Sequence, residues 1–402
     1  MPHVRSVSAG IWIDAGSRTE SPEINGIAHF IEHMVFKGTR KRSAEDIAKT
    51  MDGLGGHLDA FTGKELVSFN AKVLDEHLPV AMDVLSDLVL NPAFRADDIE
   101  KEKGVVLEEL KMEADSPEYV IHESFMAGFW RNHALGRPIL GTRETIGGFS
   151  REKILSYWRR IYRPANIVIT AAGSVDHDRF VELVNHHYGE SPAGKRLRAP
   201  APPDTAAPRL VKQKKAVEQA QILVGVPAFS ATDDRRFAAY TMTTLLGGGM
   251  SSRLFQNIRE KRGLAYSVSA EISSYHDTGC LGVYAGTSKE TVGEVLRLVF
   301  AELAELKEKL ASEEELKRTK DHLKGSLILG LESTNSRMSN LARQQMYFHR
   351  FPTIEETLAS IDAVTVEDIR IIARQLFDSA RIGVAVLGDL KNFKLEPRWL
   401  TC

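Results

Sequence analysis

The chain has 402 residues, 43% of them hydrophobic and 26% charged, enough for two or more domains of roughly 100–200 residues with full-sized cores. With 52 basic against 54 acidic residues the formal charge is -2, which excludes the basic excess of a phosphate-backbone binder, so nucleic acid is not an expected partner. Two cysteines, Cys280 and Cys402, exclude a disulfide framework and a cysteine-based zinc site, and a reducing compartment fits them best.

The N-terminal MPHVRSVSAGIWIDAG lacks a long apolar core ahead of a small-residue cleavage site, so it does not read as a secretory signal. No uninterrupted stretch approaches the roughly 20 apolar residues of a membrane-spanning helix, and a soluble protein with no membrane partner is expected. Val7–Ile13 is the first alternating run and reads as a strand. One helix is predicted from Ser21-Pro22 through Gly38, with Ser and Pro at its start and Gly just past its end. At about 100° per residue, Ile27, Phe30, Ile31, Met34 and Val35 fill one side, while His29, Glu32 and His33 cluster on the other. Two imidazoles at i and i+4 project from consecutive turns and can hold one tetrahedral zinc. Glu32, beside the second, is placed to take a proton from the water such a metal binds. Surface histidines on an ordinary amphipathic helix produce the same string, so a third ligand is required.

Leu66–Val73 reads as a strand and Leu78–Val89 as an amphipathic helix. A further helix is predicted over Arg95–Met112, where Ile99, Val105, Val106 and Leu110 set the buried face and Glu102 and Glu109 fall inside that arc; Glu108 points away. A carboxylate on a core-facing stripe needs a counter-charge or a metal. Catalytic zinc sites take three protein ligands and keep a position for water, so Glu109 is assigned as the third ligand and Glu102 as its supporting neighbour. The alternative is that both glutamates pair with Lys or Arg across a helix interface.

Ile167–Gly173 is the last strand of the first half. The segment GESPAGKRLRAPAPPDTAAPR, Gly189–Arg209, has neither helical nor strand periodicity and reads as a linker. Expected boundaries are therefore a first domain over 1–190, a linker over 191–209 and a second domain over 210–402. Strands at Ile222–Val226, Tyr266–Ile272 and Ile382–Leu387 and a helix at Lys289–Lys307 repeat the order of the first half, and Ala311–Leu327 can be laid against Arg95–Leu110. The fold class expected is α+β, with two similar duplicated domains, each a mainly antiparallel sheet covered by helices. Under this alignment Glu109 falls opposite Ser326, and nothing in the second half resembles the His29 to His33 string, so only the first half keeps the chemistry. The run Gly247–Met250 lacks the Gly-Lys-Ser/Thr ending of a phosphate-binding loop and reads as a flexible loop near the substrate.

HFIEHMVFKGT (His29–Thr39), GGHLDAFTGKELVSF (Gly55–Phe69) and EKEKGVVLEELKM (Glu100–Met112) together resemble the insulinase/pitrilysin family of inverted-motif zinc peptidases, nearest its mitochondrial processing peptidase-like and bacterial two-domain branch. The resemblance runs through nearly the whole chain, including His133–Ile146, Tyr162–Asp176 and Gly247–Ala270. The family's third ligand lies about seventy-five residues beyond the second His, where Glu109 stands, and its supporting Glu, two turns earlier, matches Glu102.

The resemblance implies one Zn2+ per chain on His29, His33 and Glu109, with Glu32 as general base. It also implies that Arg259 and Tyr266 of the second half contact substrate, and that a peptide joins the strand Asp59-Ala60-Phe61-Thr62 at its exposed edge. Two departures stand out: relatives usually carry an additional strand ahead of MPHVRSVSAG, and they often have Asn where this chain has Asp59. Long members look like two such chains joined into a clamshell, so this chain is expected to supply one half and to form a homodimer around a peptide or unfolded polypeptide. The location implied is the cytoplasm or, alternatively, a mitochondrial matrix. The expected function is that of a zinc metalloendopeptidase. The alternative is a non-catalytic scaffold like the respiratory-complex core subunits, which typically lose ligands or the base that this chain retains.

Overall fold

The computed structural model describes residues 1–197, 201–214, 217–391 and 393–402, so part of the expected linker, 198–200, lies outside the described residues. In chain order the elements are β1 (Ser6–Ile13), α1 (Ile27–Val35), α2 (Ala44–Gly53), β2 (His57–Thr62), β3 (Val67–Leu74), α3 (Leu78–Leu90), α4 (Ala96–Asp115) and α5 (Pro117–Phe129). Then come α6 (Arg143–Gly147), α7 (Arg151–Ile161), β4 (Ile167–Gly173), α8 (His177–Tyr188), β5 (Arg209–Gln213), β6 (Ala220–Ala228) and α9 (Arg236–Gly247). The chain ends through β7 (Ala265–Ser274), β8 (Gly279–Thr287), α10 (Val292–Glu308), α11 (Glu313–Gly330), α12 (Thr334–Arg343), α13 (Ile354–Asp362), α14 (Val366–Leu376) and β9 (Gly383–Gly388). Among the described residues no helix is long and apolar enough to cross a membrane.

Contacts divide the chain into two compact units: Met1–Met112, Arg137–Ala201 and Leu329–Phe351 in one, Glu113–Gly136, Pro202–Ile328 and Pro352–Cys402 in the other. The first unit holds an antiparallel sheet in the order β2-β3-β1-β4. Alternate residues Val7, Ala9, Ile11 and Ile13 of β1 enter one core with Phe69 of β3, Phe30 of α1 and Leu85 of α3. The intervening residues are buried too. Trp12 and Ala172 pack against Met338, Ala342 and Met346, on and just after α12. The polar groups on this face find partners: Ser8 Oγ lies 2.9 Å from Thr334 Oγ1, Trp12 Nε1 donates to Thr170 Oγ1 at 2.9 Å, and Thr170 Oγ1 donates to the Met338 carbonyl at 3.1 Å.

The second unit repeats this plan. Its sheet runs β5-β9-β6-β8-β7, antiparallel except for the parallel pair β5 and β9. One face packs Met242 and Leu246 of α9, Val295 and Val299 of α10 and Ile372 of α14. The other takes Ile121, Phe125 and Phe129 of α5 against Leu223, Ala385 and Leu387. The order β2-β3-β1-β4 thus recurs as β7-β8-β6-β9, with β5 added beside β9, and the two domains are similar α+β structures.

The compact units differ from the sequence halves in two segments. α5 precedes the expected linker yet belongs to the second unit, and α12 follows it yet belongs to the first. Each is an amphipathic helix that covers the second face of a sheet, and its periodicity defines the apolar side without defining which sheet it meets. β5 and β8 are strands that the alternation did not mark; β5 begins at Arg209, at the end of the expected linker, and β8 carries Gly279, Gly282 and Gly286.

Candidate active site

The His29 to His33 string lies on α1, which is shorter than predicted. The expected helix over Ser21–Gly38 divides into a single 3-10 turn at Pro22–Ile24 and α1 itself, Ile27–Val35. Between them Gly26 has φ of 93°, a left-handed conformation, and a Cβ there would stand 2.6 Å from the Leu140 carbonyl oxygen. Glycine at this N-cap offers no side chain to the free amides of the first turn, and Glu20 serves instead. Glu20 Oε2 accepts from Gly26 N at 2.7 Å and Asn25 Nδ2 at 3.0 Å, and Oε1 accepts from Ala28 N at 2.9 Å. Burial pushes the Glu20 carboxyl up to about 7, against the pull of these hydrogen bonds.

α4 brings up the carboxylates. Ile99 and Val106 are buried as predicted and Glu102 is only 3% exposed, but Val105 is 50% exposed and does not belong to the buried face. The buried stripe follows residues 99, 102, 106 and 109–110, and Val105 lies beyond its edge, about 100° from Val106 and about 120° from Ile99.

His29 Nε2 lies 3.6 Å from Glu109 Oε1 and His33 Nε2 lies 3.4 Å from Glu109 Oε2. One donor atom from each of the three residues falls within 4.8 Å of the others. Glu102 lies behind His33, its Oε1 2.9 Å from His33 Nδ1 and its Oε2 2.7 Å from Lys37 Nζ. Burial favours the protonated acid, but the hydrogen bonds with His33 and Lys37 outweigh it and hold Glu102 below its usual range. A carboxylate only accepts, so His33 Nδ1 carries a proton and Nε2 is the atom left to bind a metal. Burial, and secondarily the charge of His33, pushes His29 down to about 4, which keeps its imidazole neutral at neutral pH, as a ligand must be. Two imidazole nitrogens and one carboxylate oxygen, with one tautomer fixed by a buried acid, form a donor set that fits zinc.

Glu32 is half-buried beside this cluster, and Thr62 Oγ1 of β2 donates a hydrogen bond to its Oε2. Burial raises the Glu32 carboxyl above its ordinary value; Thr62 opposes the shift, and Asp59 and Glu109 add to it. β2 is the edge of its sheet, paired on one side to β3. Its side chains alternate, Asp59 and Phe61 exposed, Ala60 half-buried and Thr62 buried. Thr62, predicted only as part of the substrate strand, therefore holds Glu32.

Arg259 and Tyr266 belong to the second unit. Arg259 lies in a short π-helix, Phe255–Glu260, and its Nη1 donates to the Tyr266 carbonyl at 2.8 Å. Its guanidinium stands 4.9 Å from the Tyr266 ring centroid and 4.8 Å from that of Phe255. A register shift between Ala265 and Ser267 puts a bulge at Tyr266, which leaves the ring 75% exposed at the start of an edge strand. Glu20 and Lys37 were not singled out in the sequence. The available signals were an acid just ahead of a helix capped by glycine, and a lysine one turn beyond His33.

The family model described as "Insulinase (Peptidase family M16)" matches residues 1–143, and that described as "Peptidase M16 inactive domain" matches residues 148–323. An uncharacterised zinc protease of Mycobacterium leprae is 41% identical over 100% of this chain and 91% of its own length. Another, of Bacillus subtilis, is 41% identical over 97% of this chain and 96% of its own. Among solved structures, a protease from Helicobacter pylori shares the fold with a TM-score of 0.88 at 21% identity, covering 95% of this chain and 94% of that one. A peptidase M16 inactive domain from Pseudomonas fluorescens does so with a TM-score of 0.90 at 19% identity, over 96% and 93%. With both family models in order along the chain and relatives this similar over nearly its whole length, the chain belongs to the insulinase family of peptidases, M16.

Proposed function

We propose that this chain is a zinc-dependent metalloendopeptidase that cleaves unfolded peptides, with one zinc held by His29, His33 and Glu109. The observation that carries the reading is the three-donor cluster with Glu32 beside it. Zinc bound there polarises the scissile carbonyl and acidifies water. Glu32 accepts a proton from the attacking water and passes it toward the leaving amine; its raised carboxyl pKa brings it closer to neutrality than an ordinary glutamate, which favours both transfers. Thr62 orients that carboxylate, and Glu102, backed by Lys37, fixes the His33 tautomer. The open side of β2 accepts an extended peptide through backbone hydrogen bonds, which gives affinity with little sequence demand. Arg259 and Tyr266 are assigned to substrate contact, and the working form is a cytoplasmic homodimer.

The presence of every ligand and of the base supports a peptidase over a non-catalytic scaffold. The test is Glu32→Gln, which leaves the ligands untouched. Zinc content should stay at one per chain while turnover of a quenched peptide falls by about 100-fold or more. Undiminished turnover would remove Glu32 from the chemistry and this reading with it.

A further inference from the structure

The segment Gly16–Glu20 spans from the β2–β3 hairpin to the start of α1. At one end Ser17 N donates to the Gly63 carbonyl at 3.1 Å and Arg18 N to the Lys64 carbonyl at 2.7 Å. Arg18 Nη1 donates to Glu65 Oε1 at 2.6 Å, and Glu65 Oε2 accepts from Tyr347 at 2.8 Å, so the hairpin tip is clamped from two directions. At the other end Glu20 takes the amides of Gly26 and Ala28, and Arg137 donates to the carbonyl oxygen of Glu20 itself. Ala28 immediately precedes His29, so the amide that Glu20 Oε1 holds belongs to the same turn as the first metal donor. The hairpin in turn carries Thr62, which holds Glu32.

We propose that Glu20 is a positioning residue of the metal site: its carboxylate locks the first turn of α1, and with it His29, against the hairpin that orients Glu32. The inference rests on the zinc reading above. First turns of helices fray when their amides lack acceptors, and α1 begins at a glycine that supplies none. Glu20 is 4% exposed, so water does not replace it without opening the segment.

The variant is Glu20→Gln, similar in volume but unable to present two acceptor oxygens to the helix. Hydrogen exchange on the metal-free protein and zinc affinity by competition with a chelating dye are read together. Amides of residues 26–31 should exchange about tenfold faster while those of β1 and β3 stay within about twofold. Zinc should bind about tenfold more weakly. If both quantities stay within about twofold of wild type, or exchange rises equally in β1 and β3, Glu20 is a structural acid and the proposal falls. Should the Gln variant not fold, Glu20→Asp, which keeps the charge but is one methylene too short, is read the same way with the same criteria. A wild-type protein that takes up no zinc overturns the zinc reading instead, and the exchange pattern, measured without metal, still decides whether Glu20 holds the turn.

Discussion

His29 and His33 stand one helical turn apart and are driven in opposite directions. Burial and the neighbouring imidazole lower His29 to about 4, whereas the hydrogen bond to Glu102, opposed by burial, raises His33 above its ordinary value of 6.5. In the metal-free protein His29 should titrate near pH 4 by NMR and His33 above 6.5, with Glu102→Gln returning His33 toward 6.5. The signs for stability follow. The unfolded chain protonates His29 first, so stability drops as pH falls from about 6.5 to about 4. The His33 contribution is fully present below about 6.5 and is lost as pH rises through its raised folded value. A His29 midpoint at or above 6.5 would contradict the burial that keeps it neutral.

At the scale of elements, the site depends on how closely the strap at Gly16–Glu20 approaches the β2–β3 hairpin. A Cβ on Gly16 would stand 2.3 Å from the Gly63 carbonyl oxygen and 2.7 Å from the Lys64 carbonyl carbon. Both are backbone atoms, which cannot swing aside as a flexible side chain does. Gly16→Ala should therefore push strap and hairpin apart at a cost of about 1–3 kcal/mol, read by denaturant unfolding, and lower turnover through the Thr62 and Glu32 contact. An unfolding midpoint equal to wild type would show that the approach has slack.

For the whole molecule, the homodimer proposal has a direct test in subunit exchange. If Tyr266 of one subunit serves the zinc site of the other, inactive Glu32→Gln and inactive Tyr266→Phe proteins should regain part of their activity when mixed. One site of each mixed dimer then combines an intact Glu32 with the partner's Tyr266. A tyrosine donor to the developing oxyanion contributes about 3 kcal/mol in comparable sites, large enough for the recovery to be measured. Verified exchange with no recovered activity would assign both residues to one chain.

What the sequence determined is whatever repeats along one segment. The period of α1 separates His29, Glu32 and His33 from Ile27, Phe30 and Ile31, the period of α4 puts Glu102 and Glu109 on one stripe, and short apolar runs mark β1, β3 and β4. Tertiary structure decided whatever depends on a distant partner. Gly26 breaks the predicted helix because it packs on Leu140 and Gly141; Glu20, Thr62 and Lys37 gain their roles from residues that folding brings to them; α5 and α12 cover sheets on the far side of the linker. Periodicity is a property of local geometry and shows which face a segment must bury, whereas the surface that buries it is set by the packing of the whole chain.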